Sequence, residues 1–100
     1  MKTINTIKST VVKARMNAAK SPYFSPANNR FFGTRLASKE AYSVDDRYFW
    51  FVTSEQFASD AQRKYTVRVY DNTAKTVETF GDFQAYENVK IAIAVIKDCI

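Results

Sequence analysis

Arg47-Tyr48-Phe49-Trp50-Phe51-Val52-Thr53 is the stretch on which the fold turns. Aromatic and β-branched residues follow one another there without a helical period, so the segment predicts a strand at the centre of a sheet. Alternation along such a strand sends Tyr48 and Trp50 to one face and Phe49 and Phe51 to the other. Downstream, Tyr65 to Tyr70 predicts a second strand, with Tyr65, Val67 and Val69 on one face and Thr66, Arg68 and Tyr70 on the other. Asp71-Asn72-Thr73-Ala74-Lys75 supplies turn chemistry, and Thr76 to Phe80 pairs back as a hairpin that Gly81 and Asp82 end. Upstream, Phe31 to Ala37 reads as a weaker strand containing Gly33, and Ser38 to Asp46 as a polar connection.

Helical patterns close both ends. Ile4, Ile7, Val11, Ala14 and Ala18 recur at steps of three and four, which predicts a helix over 3–19 with Thr3 as N-cap. Lys8, Lys13, Arg15 and Lys20 lie off that stripe and are expected to face water. Pro22 stops the helix, and residues 21–29, with both prolines, read as a loop. At the other end Val89, Ile93, Ile96 and Ile100 share one face of a helix over 88–99, with Asn88 as its N-cap. Strands joined by short connections pair antiparallel with their neighbours. The expected fold is therefore α+β: one domain over residues 1–100, built as a four-stranded antiparallel meander with an N-terminal and a C-terminal helix on one face (α-β-β-β-β-α).

Composition narrows the chemistry. With 46% hydrophobic and 15% aromatic residues, the chain has the material for a core. It has no histidine, which removes the commonest general base and metal ligand together with every Ser-His and Cys-His arrangement. Cys99 is the only cysteine, so no internal disulfide and no zinc site is expected, and it reads as a small apolar filler on the last helix. Gly33 and Gly81 are the only glycines and form no phosphate loop. Asp45-Asp46 reads as a solvated turn before a strand. The expectation is a protein that is no enzyme, carries no metal or cofactor, and stays in the cytoplasm, since no stretch approaches the roughly 20 apolar residues of a membrane span.

Two features point to binding. Residues 1–39 contain Lys2, Lys8, Lys13, Arg15, Lys20, Arg30, Arg35 and Lys39 and no acid, a local balance of +8 in a chain whose net charge is +5. Lys8, Lys13, Arg15, Lys20, Arg30 and Arg35 supply phosphate-seeking charge, and Tyr23 and Phe24 supply rings for stacking on bases. The second feature is the sheet. If both helices cover one face, two aromatics of the 48–52 strand stand on the other, and Tyr48, Trp50, Arg68 and Tyr70 form a partner-binding patch unless the N-terminal loop folds over it through Tyr23 and Phe24.

The segments FWFVTSEQF, RKYTVRVYD and TVETFGDFQAY resemble small accessory proteins of tailed bacteriophages, over residues 30 to 95. That resemblance implies a short protein of the host-takeover or anti-defence type, which binds and blocks a host protein or nucleoprotein complex, as anti-CRISPR-like inhibitors do. The basic segment departs from the acidic DNA mimics of that class. The leading expectation is such a non-enzymatic inhibitor. The alternative is a nucleic-acid-binding protein, for DNA or RNA, that uses the basic segment with little sequence preference. In both readings the membrane is not a partner.

Overall fold

The computed structural model describes residues 4–19, 21, 24, 26–56 and 62–100. In chain order the elements are β1 (Asn5–Lys8), α1 (Ser9–Ala18), α2 (Pro26–Phe32), β2 (Arg35–Leu36), β3 (Glu40–Ser43), β4 (Tyr48–Glu55), β5 (Lys64–Asp71), β6 (Thr76–Phe80) and α3 (Val89–Cys99). The α+β class and the antiparallel sheet agree with expectation. The sheet runs β1-β3-β4-β5-β6, with β2 also paired to β4, so it has six strands and not four, and the described helices number three.

β4 is the centre of the structure and is buried along almost its whole length. Its Phe49 and Phe51 join Val12, Phe24, Tyr70 and Val77 in one core beneath α1. Its Val52 joins Tyr42, Val67, Ala92 and Ile96 in a second core beneath α3. The helices therefore lie on opposite faces, which corrects the expectation that both cover one. A continuous apolar run such as Tyr48 to Val52 is what a strand buried on both faces requires, whereas a half-exposed strand alternates.

The N-terminal segment also differs from expectation. Residues 5–8 are extended and pair with β3 (Ile7 opposite Ala41, Thr6 opposite Tyr42), and only then does α1 begin. The β-branched residues of Thr6-Ile7 suit an edge strand that satisfies the outer backbone groups of β3. Because the helix starts later, its buried stripe is Val12, Met16 and Ala19, while Val11 is exposed. Arg15, one turn before Ala19, is thereby turned toward the sheet and not toward water.

Residues 26–32 form a helix where a loop and the start of a strand were expected. Pro26 stands at its first position, where a missing N–H costs nothing. At its end Thr34 N–H donates to Asn29 O at 2.8 Å and Gly33 N–H to Arg30 O at 3.3 Å, with Gly33 at φ +59. This paired closure with a left-handed residue is the glycine-dependent stop of many helices. A side chain at Gly33 would also place its Cβ 3.1 Å from the Arg63 guanidinium, which bonds Gly33 O, Ser54 O and Ser54 Oγ.

β2 and β3 are two parts of one line interrupted at Ser38. Ala37 and Ser38 both donate to Val52 O, and the Ser38 hydroxyl accepts from Val52 N–H at 3.0 Å, replacing the ladder bond that the interruption removes. The polar connection expected over 38–46 thus contains a strand that holds β1 to the sheet. The β5–β6 hairpin and the last helix are as expected. Asp71 Oδ1 accepts from Thr73 and Ala74 N–H in the turn, and Asn88 Oδ1 caps α3 through Ile91 N–H at 2.9 Å. Cys99 is exposed, not a core filler. Among the described residues, no helix is long and apolar enough to cross a membrane.

Candidate functional site

The face of the sheet beneath α1 changes character along the strands. At one end it is aromatic and aliphatic; at the other it becomes polar and charged. Register places Phe51 opposite Arg68, Thr53 opposite Thr66 and Arg68 opposite Thr79, so Thr53, Glu55, Thr66, Arg68 and Thr79 all project to this face. The Glu55 carboxylate accepts from Thr53 Oγ1 at 2.6 Å, Thr66 Oγ1 at 2.7 Å and Arg68 Nη2 at 3.1 Å. Arg68 also donates from Nε to Thr53 Oγ1 at 3.0 Å and from Nη1 to Thr79 Oγ1 at 2.6 Å. Glu55 is 0% and Arg68 5% exposed. A pair this deep persists only where nearly every donor and acceptor is met, and here threonines supply the missing partners. Burial pushes the guanidinium below the usual arginine range, and the Glu55 charge opposes that shift.

Above Arg68 opens a cleft of about 480 Å³. The guanidinium carbon lies 5.2 Å from the centroid of the Phe24 ring and 5.5 Å from that of Phe83, so Arg68 is held by two rings as well as by Glu55. Phe24 is buried beside it at 1% exposure, whereas Phe83 stands at the mouth at 38%. Phe83 meets Phe32 of α2 edge to face at 5.1 Å, and Phe32 meets Phe31 at 4.8 Å, leaving Phe31 70% exposed. Glu78 and Asp82 line the β6 side of the cleft, and Asn29 and Thr34 line the α2 side.

Past Asn29 and Thr34 the surface continues as two adjoining grooves of about 340 and 400 Å³ between α1, α2 and β2. Asn29, Arg30 and Gly33 line the first, Lys13, Met16 and Leu36 the second, and Asn17, Thr34 and Arg35 are common to both. Among the described residues no carboxylate lines either groove.

Of the basic residues expected to bind nucleic acid, Lys13, Arg30 and Arg35 are exposed and come together around these grooves. Lys8 is exposed at the end of β1, opposite Glu40 in register. Arg15 is not a solvated cation. Its guanidinium lies 4.9 Å over Phe49 and 5.4 Å over Tyr70, and its Nη1 is buried with no hydrogen-bond partner among the described residues. Phe24 is a core residue with no face free for a base. Lys20 and Tyr23 lie outside the described residues.

The expected sheet patch is divided. Tyr48 and Trp50 belong to the α3 face, where Trp50 packs edge to face on Phe80 at 5.0 Å and Arg47 lies 4.9 Å over Tyr48. Arg68 and Tyr70 belong to the other face, because Arg68 stands opposite Phe51 and Tyr70 opposite Phe49 in the ladder. Tyr70 is only 6% exposed, so the four residues cannot meet one partner together. The Asp45-Asp46 pair is a turn: Asp45 Oδ1 accepts from Arg47 and Tyr48 N–H, each at 3.0 Å, with Asp46 at φ +60. Among the described residues no group of three or more acidic or cysteine side chains is arranged to hold a metal ion.

Fold and site together define a small α+β protein with helices on both faces of an antiparallel sheet and an open, partly basic groove leading to an aromatic cleft. Residues 6–97 match the model of a family described as a family of unknown function (DUF7447), and the chain belongs to that family. No curated protein and no solved structure matches the chain.

Proposed function

We propose that this protein is a non-enzymatic binding protein whose ligand is nucleic acid, held by the grooves between α1, α2 and β2. The observation that carries this reading is the gathering of Lys13, Arg30 and Arg35, from three separate elements, around grooves whose other polar side chains are Asn17, Asn29 and Thr34, with no carboxylate among the described residues. Cations with amide and hydroxyl donors are the groups that contact phosphate and sugar. The described lining holds no acid to neutralise these cations, and the local charge of the first 39 residues points the same way. With Arg15 turned inward, the phosphate-contacting set is Lys13, Arg30 and Arg35, with Lys8 further along α1's side.

The test is the salt dependence of binding to a labelled oligonucleotide. Each phosphate neutralised on a single strand contributes about −0.7 to the slope of log K against log salt. Replacing Lys13, Arg30 and Arg35 together by alanine should flatten that slope by about 2. An unchanged slope would exclude these grooves as the contact surface.

A second reading follows the phage resemblance: an inhibitor of a host macromolecule, of the anti-defence kind, that docks by a protein surface. What favours it is the α3 face, where Tyr48 at 36% and Phe80 at 37% exposure flank Trp50. Capture of one host protein in stoichiometric amount, abolished by Phe80→Asp and untouched by the groove triple variant, would establish this reading in place of the first.

A further inference from the structure

We infer that the cleft over Arg68 receives a single unpaired base, so that the protein binds single strands in preference to duplexes. This rests on the nucleic-acid reading and specifies what that site selects.

The cleft and the grooves are one surface, since Asn29 and Thr34 line both the cleft and the neighbouring groove. Their chemistry differs. The grooves are basic and suit a backbone. The cleft carries Asp82 on its rim, and the charge of Arg68 at its floor is matched by Glu55, so it does not suit phosphate. A neutral, flat, polar-edged group fits instead. At about 480 Å³ the volume lies in the range of small-ligand sites, ~300–1,000 Å³. Phe83 stands at the mouth 38% exposed, packed against Phe32 at an interplanar angle of 60° and against the Arg68 guanidinium at 5.5 Å, and the exposed part of such a ring stacks bases without regard to sequence.

The floor offers hydrogen bonds to the base edge. A guanidinium has five N–H groups. Thr53, Thr79 and Glu55 take three of those on Arg68, which leaves two among the described residues. Arg68 cannot turn away to satisfy them, being clamped by its partners and by Phe24. The Asp82 carboxylate at the rim accepts from exocyclic amines, the complementary half of a base's edge. A base inside a duplex is stacked on both faces and cannot enter, so occupancy of the cleft requires an unpaired nucleotide.

The experiment is an anisotropy titration of the full chain with a labelled hexanucleotide, single-stranded and as a duplex, together with a single strand carrying 2-aminopurine. Wild type should bind the single strand at least tenfold tighter than the duplex, and the 2-aminopurine emission should change on binding. Phe83→Ala should weaken single-strand binding about tenfold, abolish the emission change and leave duplex binding as it was, while Phe83→Tyr retains both. Urea unfolding of each variant identifies a loss of fold, and the wild-type emission change does not depend on any variant. Equal affinity for both forms with an unchanged emission overturns the inference while leaving the nucleic-acid reading in place. Absence of binding to every probe at low salt overturns both.

Discussion

Arg68 Nη2 lies 3.1 Å from Glu55 Oε2 across adjacent strands, with side chains 6% and 0% exposed. Two charges have been carried into the interior on the face that also forms the cleft. Removing one partner of such a pair strands the other, at a cost of about 3–5 kcal/mol. Glu55→Ala should destabilise the protein by that order in urea denaturation, whereas Glu55→Leu combined with Arg68→Met should lose less than half as much. A double variant as unstable as the single one would mean that the network contributes more than mutual neutralisation.

Arg15 presents the opposite case. Its guanidinium covers Phe49 and Tyr70 but leaves Nη1 buried without a partner among the described residues. Burying an unmet donor is unfavourable, and a long apolar side chain keeps the covering contact. Arg15→Met should therefore leave the midpoint of thermal unfolding unchanged or raise it. It should also leave the salt slope of nucleic-acid binding unaltered, in contrast to Lys13→Ala. A fall of several degrees would show that the cation–ring contacts outweigh the orphaned donor.

Asn88 is the only side chain that caps α3, accepting from Ile91 N–H at 2.9 Å among the described residues. Asn88→Ala should cost about 1 kcal/mol and Asn88→Ser a few tenths. Because α3 closes one core through Ala92 and Ile96, the loss should appear in global unfolding as well as in amide exchange of the helix's first turn.

Asp45 gives a pH signature. The Tyr48 and then the Arg47 backbone N–H groups hold its carboxyl below the usual aspartate range. A group whose folded pKa is depressed contributes its stabilisation above the unfolded value, about 3.9, and loses it as pH falls through the folded value. Asp45→Asn should cost a little stability at pH 7 and nothing once the pH has fallen through the folded value, so that the dependence of stability on pH below about pH 4 is shallower in the variant. Asp45 is exposed, so the effect is small. A carboxyl NMR titration with an ordinary midpoint would contradict the turn bonding.

The hairpin, the last helix and the central strand were legible because each carries its own local signal: turn residues at 71–75, Asn88 before a helical period, and aromatic density at 48–52. The N-terminal third was not. Ile4, Ile7 and Val11 satisfy a helical spacing, yet residues 5–8 are drawn into the sheet by the open edge of β3, which no local pattern reports. Pro26 and Gly33, seven residues apart, do bracket α2, and that pair was readable as start and stop. The continuous run Tyr48 to Val52 signalled cover on both faces, which makes an open aromatic sheet face untenable. The cleft was hidden for a different reason. Thr53 and Glu55, like Thr66 and Arg68, share parity within their strands, but the register that brings the two pairs together is a tertiary fact. The basic groove was half readable, since the charges of Lys13, Arg30 and Arg35 stand out and their convergence from three elements does not.

Nucleic acid is proposed to lie along the grooves and cleft on the α1 side of the sheet. Backbone amide chemical-shift mapping of the isotope-labelled protein with an unlabelled single-stranded hexanucleotide is the decisive measurement. Shifts are expected at Asn17, Asn29, Thr34, Arg35, Gly81 and Phe83, with α3 and the Trp50–Phe80 side unmoved. Shifts confined to α3, Trp50 and Phe80, or no shifts at low salt, would contradict that placement.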